Sequence, residues 1–375
     1  MSEGAQDSHY QDWMRRRNEY TRRQFEDDIV IEGDRSLREM SAMGECVYYL
    51  DAGVYPDRAL SDWRSFVMDL PVSTGKHTHQ GGLVIYVLEG SGWSVLDGVR
   101  EDWAAGDLLL LPIKAGGVEH QFFNADPGSP CRWLSAINVP MFNNLGSEFT
   151  QQDYAGEYGH GSGQPEGWLP PYLRDTAHSH PSEVRSDAGS PAGKPVEVFA
   201  NGDERKEALA GRRLFDELLS LRNQQRESWR GSGLTRVAGE SIPWETCQLG
   251  RVKWFMHPLI FDTCIRTHLV FEQELRPGER SALLRHQGNA FVYVIAGKGT
   301  TTVDGTEWKW KAGDMIQLPA RPPGLEYAHS VDAGATEPAR VIHFELNASD
   351  QVGLDRGCGF EVLEPARLVD GAGGS

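Results

Sequence analysis

The feature that most constrains this chain is that it repeats itself. Adding 207 to a position in one stretch lands on its counterpart in a later one: Tyr86-Val-Leu-Glu-Gly-Ser-Gly92 becomes Tyr293-Val-Ile-Ala-Gly-Lys-Gly299. The register holds through Asp97-Gly98 and Asp304-Gly305, Trp103 and Trp310, Gly106-Asp107 and Gly313-Asp314, and Pro112 and Pro319. Beyond that proline the second copy gains two residues, so His120 corresponds to His329. Similarity sustained at one offset is the mark of duplication. Each copy consists of short runs rich in Val, Leu, Ile, Tyr and Trp, separated by turn dipeptides, which is the pattern of an all-β unit. The chain of 375 residues is long enough for two such units with their own cores.

The material around the repeats differs in character. Residues 8–27 contain no Gly or Pro and mix aromatic with charged side chains, which predicts an exposed helix. Its cluster Arg15, Arg16, Arg17, Arg22 and Arg23 reads as a solvated face. Residues 145–200 are rich in Gly, Ser, Pro and His and read as a connection between units. A helix is predicted over about 203–229. Its Leu209, Leu214, Phe215, Leu218, Leu219 and Leu221 form an apolar stripe expected to pack on a barrel. The resulting division is an N-terminal helical arm (1–40), a first β domain (41–145), a helix-containing linker (146–245), a second β domain (246–350) and a C-terminal tail (351–375).

Composition excludes several classes. With 54 acidic against 37 basic residues the net charge is −17, so the average surface repels a polyanion and no nucleic-acid partner is expected. The five cysteines (Cys46, Cys131, Cys247, Cys264, Cys358) form no CxxC pair, which argues against a disulfide framework or thiolate zinc site and suits a reducing cytoplasm. No apolar run approaches the length of a membrane span and the N-terminus lacks an apolar signal core, so a soluble, cytoplasmic protein without a membrane partner is expected.

Chemistry concentrates in the first copy. His77 and His79 stand two apart in a segment of strand character, so the period-2 alternation sends both imidazoles to one face. With His120 they make three candidate ligands for a divalent ion. In the second copy the corresponding residues are Leu284, His286 and His329. One ligand is lost there, and two neutral ligands seldom hold iron, so the working site is placed in the first copy and the second is read as mainly structural. Whether His286 and His329 bind anything is left open by the residues. The pair His178 and His180 has the same spacing but lies in the Pro/Ser-rich connection and is read as a decoy. Gly90-Ser-Gly92 and Gly297-Lys-Gly299 lack a following helix and read as tight turns rather than phosphate loops.

The pattern Gly75…His77-x-His79…Gly90 followed by Gly106…Pro112…His120…Asn124 resembles the two motifs of the cupin family, and its repetition resembles a bicupin. That resemblance implies two jelly-roll (double-stranded β-helix) barrels in tandem. Many cupins place a metal-binding glutamate three residues before the tyrosine of the glycine-turn strand, where this chain has Leu83. Leucine leaves an all-histidine centre that keeps both positive charges of a divalent ion and suits an anionic chelating substrate. It also argues against the oxalate-decarboxylase-like and sugar-isomerase-like members.

Among bicupins with a three-histidine first barrel and a degenerate second one, the chain looks most like the gentisate, salicylate and 1-hydroxy-2-naphthoate dioxygenases. The resemblance implies one Fe(II) per chain on His77, His79 and His120, an aromatic acid and O2 as substrates, and ring cleavage between the hydroxyl- and carboxyl-bearing carbons. It also implies a homo-oligomer, dimer or tetramer. Members of that family usually carry an arginine in the strand after the histidine pair, where this chain has Ile85, so the carboxylate anchor must lie elsewhere or the substrate differs. Arg64, Gln80, Lys114 and Arg132 are the candidate anchors, and Trp93, Trp103 and Phe122 the candidate aromatic walls, each competing with a surface or packing role. Another three-histidine enzyme, either a lyase or a dioxygenase of a non-aromatic substrate, and a non-enzymatic small-molecule-binding bicupin are the alternatives.

Overall fold

A computed structural model describes residues 8–41, 43–114, 116–146, 149–153, 200–227, 233–260, 262–321, 324–347 and 359–369. The pair His178 and His180 lies outside them. Helix α1 (His9–Glu26), opened by a Ser8–Gln11 capping box, is the helix that the composition of this segment predicts. Twelve strands follow or flank the first repeat: β1 (Val30–Ile31), β2 (Leu37–Ser41), β3 (Gly44–Leu50), β4 (Trp63–Asp69), β5 (His77–His79), β6 (Val84–Glu89), β7 (Ser91–Leu96), β8 (Val99–Ala104), β9 (Leu108–Leu110), β10 (Val118–Asn124), β11 (Arg132–Asn138) and, after the short helix α2 (Val139–Asn144), β12 (Thr150–Gln151). Helices α3 (Gly202–Leu209) and α4 (Leu214–Glu227) come next. The rest is again strand: β13 (Arg236–Val237), β14 (Glu245–Cys247), β15 (Gly250–Met256), β16 (His268–Leu275), β17 (Leu283–His286), β18 (Ala290–Ala296), β19 (Lys298–Val303), β20 (Thr306–Lys311), β21 (Met315–Leu318), β22 (Leu325–Ser330), β23 (Ala339–Leu346) and β24 (Phe360–Glu364).

These strands form two antiparallel two-sheet barrels. The first pairs a seven-stranded sheet, β13-β9-β6-β11-β4-β3-β2, with a five-stranded one, β12-β5-β10-β7-β8. The second repeats it as β1-β21-β18-β23-β16-β15-β14 and β20-β19-β22-β17-β24. The chain is thus all-β in its two repeats, as the duplicated pattern implied. The two-residue hairpin turns also agree: Asp97-Gly98 and Asp304-Gly305 both have positive φ at each position, the geometry for which Asp-Gly is selected.

Alternation along the large-sheet strands sorts side chains into two cores. In the first barrel Cys46, Tyr48, Phe66, Met68, Leu83, Ile85 and Val87 point inward. Val47, Tyr49, Val67, Tyr86 and Leu134 point outward into a shared core with Phe255, Phe291, Tyr293, Ile342 and Phe344 of the second barrel. At roughly 1.5–3 kcal/mol for each large apolar side chain removed from water, that interface binds the barrels firmly. Edge-to-face contacts order it, as between Tyr49 and Tyr293 (5.7 Å) and Trp63 and Phe291 (5.2 Å).

The barrels also exchange edge strands. β1, from the segment read as an arm, pairs with β21 of the second barrel (Val30 opposite Ile316). β13, from the segment read as linker, pairs with β9 of the first (Arg236 opposite Leu109). Each exchanged strand leads to a glycine held alike: Gly33 N–H donates to Asp314 Oδ1 (3.1 Å) and Gly239 N–H to Asp107 Oδ1 (3.0 Å). A Cβ at either glycine would lie 2.2 or 2.0 Å from the carbonyl oxygen of Gly313 or Gly106, so only glycine permits the approach. β12 and β24, from the linker and tail segments, extend the small sheets.

One expectation is corrected. The helix predicted over 203–229 is two helices, α3 and α4, separated near Gly211, whose φ of +75° lies outside helical geometry. Its stripe does not pack on a barrel along its length, since Leu214, Phe215, Leu218 and Leu221 are exposed.

Candidate metal centre

Strand register assembles the centre. His77 and His79 face inward on β5 with Thr78 between them facing out. β10 runs antiparallel to β5 and pairs His120 directly with His77. The three rings converge, with centroids 4.2 to 5.4 Å apart, and their ligand atoms all lie within 4.8 Å of one another. Among the described residues this is the one group of three or more His, Cys, Asp or Glu side chains able to hold a metal ion.

The tautomers suit ligation. Each Nδ1 faces a backbone carbonyl: His77 to Gly75 (2.8 Å), His79 to Gln80 (2.7 Å) and His120 to Val118 (2.9 Å). A carbonyl only accepts, so each Nδ1 carries the proton and each Nε2 keeps its lone pair free, the arrangement a metal-bound imidazole requires. His120 Nε2 is buried with no hydrogen-bond partner. Burial pushes the His77 imidazole down to about 4, lowers His79, and with two neighbouring imidazoles holds His120 well below the usual histidine range. All three are neutral at pH 7, and the site fits a divalent ion.

The second barrel shows why its copy differs, beyond Leu284 standing where His77 does. His286 Nδ1 accepts the Gly288 N–H (2.8 Å), so the proton sits on Nε2 and is donated to Glu345 (2.7 Å). This is the opposite tautomer from His79. His329 is fully buried and its Nδ1 meets Thr301 Oγ1 (2.7 Å).

The histidines border a cavity of about 260 Å³ inside the first barrel. Of the residues singled out from sequence, Arg64, Leu83 and Phe122 line it. Six others stand away from it, among them Trp103, which is buried in the barrel's inner core. Ile85 is fully buried in the barrel core beyond the lining. Gln80 and Lys114 bond to each other through side chain and backbone, with the Lys114 ammonium on Asp97 (2.5 Å). Trp93 stacks on Phe123 (5.1 Å) beneath the guanidinium of Arg100. Arg132 pairs with Asp69 (2.6 Å).

Among the described lining residues Arg64 is the one cationic side chain, and none is a carboxylate. Its Nε lies 2.9 Å from Asp51 Oδ2, and its guanidinium rests over the Phe66 ring at 5.6 Å. Nε is buried yet out of line for a hydrogen bond to that carboxylate. The Arg64 charge also contributes to lowering His79. Sequence reasoning missed Phe66, Met68, Trp133 and Ile137 in the walls, and Phe142, Asn143 and Phe149 at one end. The inward parity of β4 and β11 could have found the first four. The last three lie on α2 and just before β12, where no periodic signal marks them.

Comparison with known proteins agrees with this architecture. The cupin domain model matches residues 66–137 and 271–345. A 5-aminosalicylate 1,2-dioxygenase from Comamonas sp. is 25% identical over 248 residues, covering 65% of this chain and 55% of that protein, so the chain matches just over half of the relative's length. Oxalate decarboxylase from Bacillus subtilis superposes with a TM-score of 0.52 at 15% identity, over 85% of this chain and 76% of that one, a likeness of fold. Salicylate 1,2-dioxygenase from Pseudoaminobacter salicylatoxidans, in adducts with gentisate, gives 0.46 at 18% identity over 80% and 72%. Among the described residues no helix is long and apolar enough to cross a membrane. The two matched segments fall on the two barrels, so the chain carries two cupin domains in tandem, one with a complete histidine trio and one without.

Proposed function

We propose that the chain is an Fe(II)-dependent ring-cleaving dioxygenase of a salicylate- or gentisate-like aromatic acid, a 5-substituted salicylate included. Cleavage falls between the hydroxyl- and carboxyl-bearing carbons, and both atoms of O2 enter a ring-opened dicarboxylate. The observation that carries this reading is the ligand set in its setting: three neutral imidazoles and, among the described residues, an apolar aromatic-walled lining with one cation and no carboxylate. The likeness to a 5-aminosalicylate 1,2-dioxygenase supports it.

When bound, Fe(II) would be held by His77, His79 and His120 and would supply the redox centre that couples an electron-rich ring to O2. The chain's own residues do the rest. Because none of the described lining residues is a carboxylate that would neutralise the ion, the site favours an anion that offers oxygen ligands. Arg64 holds the substrate carboxylate and takes the place of the arginine that Ile85 lacks. Phe66, Phe122 and Trp133 grip the ring and exclude water, so that ring and oxygen meet in a fixed geometry.

The test is oxygen uptake. Protein reconstituted anaerobically with Fe(II) is given salicylate, gentisate, 5-substituted salicylates and 1-hydroxy-2-naphthoate, and uptake is followed with product absorbance. Uptake with at least one is expected. None with any of them overturns the proposal.

A further inference from the structure

We infer that Phe149 is the specificity-determining residue at the mouth of the metal cavity, limiting the aromatic acids that reach the histidines to those with a single ring. The inference rests on the proposed function and concerns the substrate class of that same site.

Phe149 combines two properties. It lines the cavity, and it is 49% exposed, while Phe66, Phe122, Trp133 and the three histidines are each at most 5% exposed. A side chain that borders an interior space and also meets solvent stands in the opening. Its ring lies nearly parallel to two of the candidate ligands, 5.1 Å from His77 (28°) and 5.8 Å from His79 (17°). Any ring entering from this side must pass or displace it.

The backbone beneath it is fixed. β12 pairs Thr150 with Thr78 and Gln151 with His77, and the N–H groups of Gln152 and Asp153 both donate to Lys76 O (2.8 and 3.0 Å). Phe149 immediately precedes this anchored strand, which sets the height of its ring above the histidines, so it acts as a wall of defined position.

The second barrel repeats the device. β24 pairs Glu361 with Arg285 and Phe360 with His286, which makes Phe360 the counterpart of Phe149. Phe360 lies farther off, 6.5 Å from His286, on a strand paired at four positions instead of two. A phenylalanine over the histidine face is thus part of the duplicated plan, and it borders a cavity with a complete ligand trio in the first barrel.

The experiment uses iron-loaded protein under anaerobic conditions, so that binding is read without turnover. Salicylate and 1-hydroxy-2-naphthoate are titrated by calorimetry into wild type, Phe149→Ala, Phe149→Leu and, as control, Phe360→Ala. Iron content is measured in each and is expected to be unchanged. Wild type is expected to prefer salicylate, and Phe149→Ala to reduce that preference at least tenfold by admitting the fused ring. Phe149→Leu should fall between them and Phe360→Ala should match wild type. Equal affinities in wild type, an unchanged ratio in both Phe149 variants, or an equal change in Phe360→Ala would overturn the inference. Binding of neither acid to any form would instead overturn the proposed function.

Discussion

Removing the cavity's cation separates the anchoring role of Arg64 from a structural one. The Arg64–Asp51 pair is partly solvated, with the arginine side chain 37% exposed, so its contribution to stability is at most about 1 kcal/mol. Arg64→Leu should therefore fold nearly as well as wild type. Its effect on ligand binding is larger, because a hydrogen bond to a charged group is worth about 1.5–3 kcal/mol, or roughly 10- to 150-fold in Kd. Arg64→Lys keeps the charge but loses the two-pronged geometry and should fall between. Asp51→Asn releases the guanidinium from its competitor and should tighten binding. The assay is anaerobic calorimetry on iron-loaded protein with salicylate and with 2-hydroxybenzyl alcohol, which keeps the ring and hydroxyl but lacks the carboxylate. The salicylate loss should be absent for the alcohol. An equal loss for both ligands, or none for either, would refute the anchoring role.

Three further outcomes follow from the geometry. The native pKa of His77, about 4, lies below its ordinary value of 6.5, so between these values the unfolded chain binds more protons than the native one. Metal-free protein should keep full stability above pH 6.5 and lose about 3 kcal/mol from His77 alone as pH falls to 4; an unchanged urea midpoint over that range would contradict this. Gly239→Ala puts a Cβ 2.0 Å from Gly106 O and should cost about 1–3 kcal/mol, read as a lowered Tm, whereas Gly202→Ala, which meets nothing within 4 Å, should not. Leu284→His should leave the metal count per chain unchanged, because His286 is committed to Gly288 and Glu345 in the wrong tautomer; a second bound ion would show that commitment to be weak.

What could be read in advance follows from what repeats. The 207-residue offset marked two β units because turn glycines, Asp-Gly pairs and strand alternation each impose local residue choices, and the structure places a barrel on each. His77 and His79 could be put on one face from spacing alone. The exchange of β1 and β13 could not be read, since a two-residue strand carries no periodicity and its partner lies far along the chain. Spacing also failed to rank the substrate candidates. Trp93 has strand character like Phe122, but it stacks against Phe123 under Arg100 instead of lining the cavity, and only the register of β7 on β10 decides this. The α4 stripe misled because helical periodicity reports an apolar face and not what covers it. The tautomers that separate His79 from His286 depend on which backbone group each Nδ1 meets, a consequence of loop path that no residue pattern encodes.

Counting metal in single-histidine variants tests the centre most directly. After anaerobic reconstitution with Fe(II), wild type and His329→Ala should each hold about one iron per chain, and His120→Ala should hold almost none. Iron retained by His120→Ala, or lost on changing His329 alone, would place the metal in the wrong barrel and contradict the account.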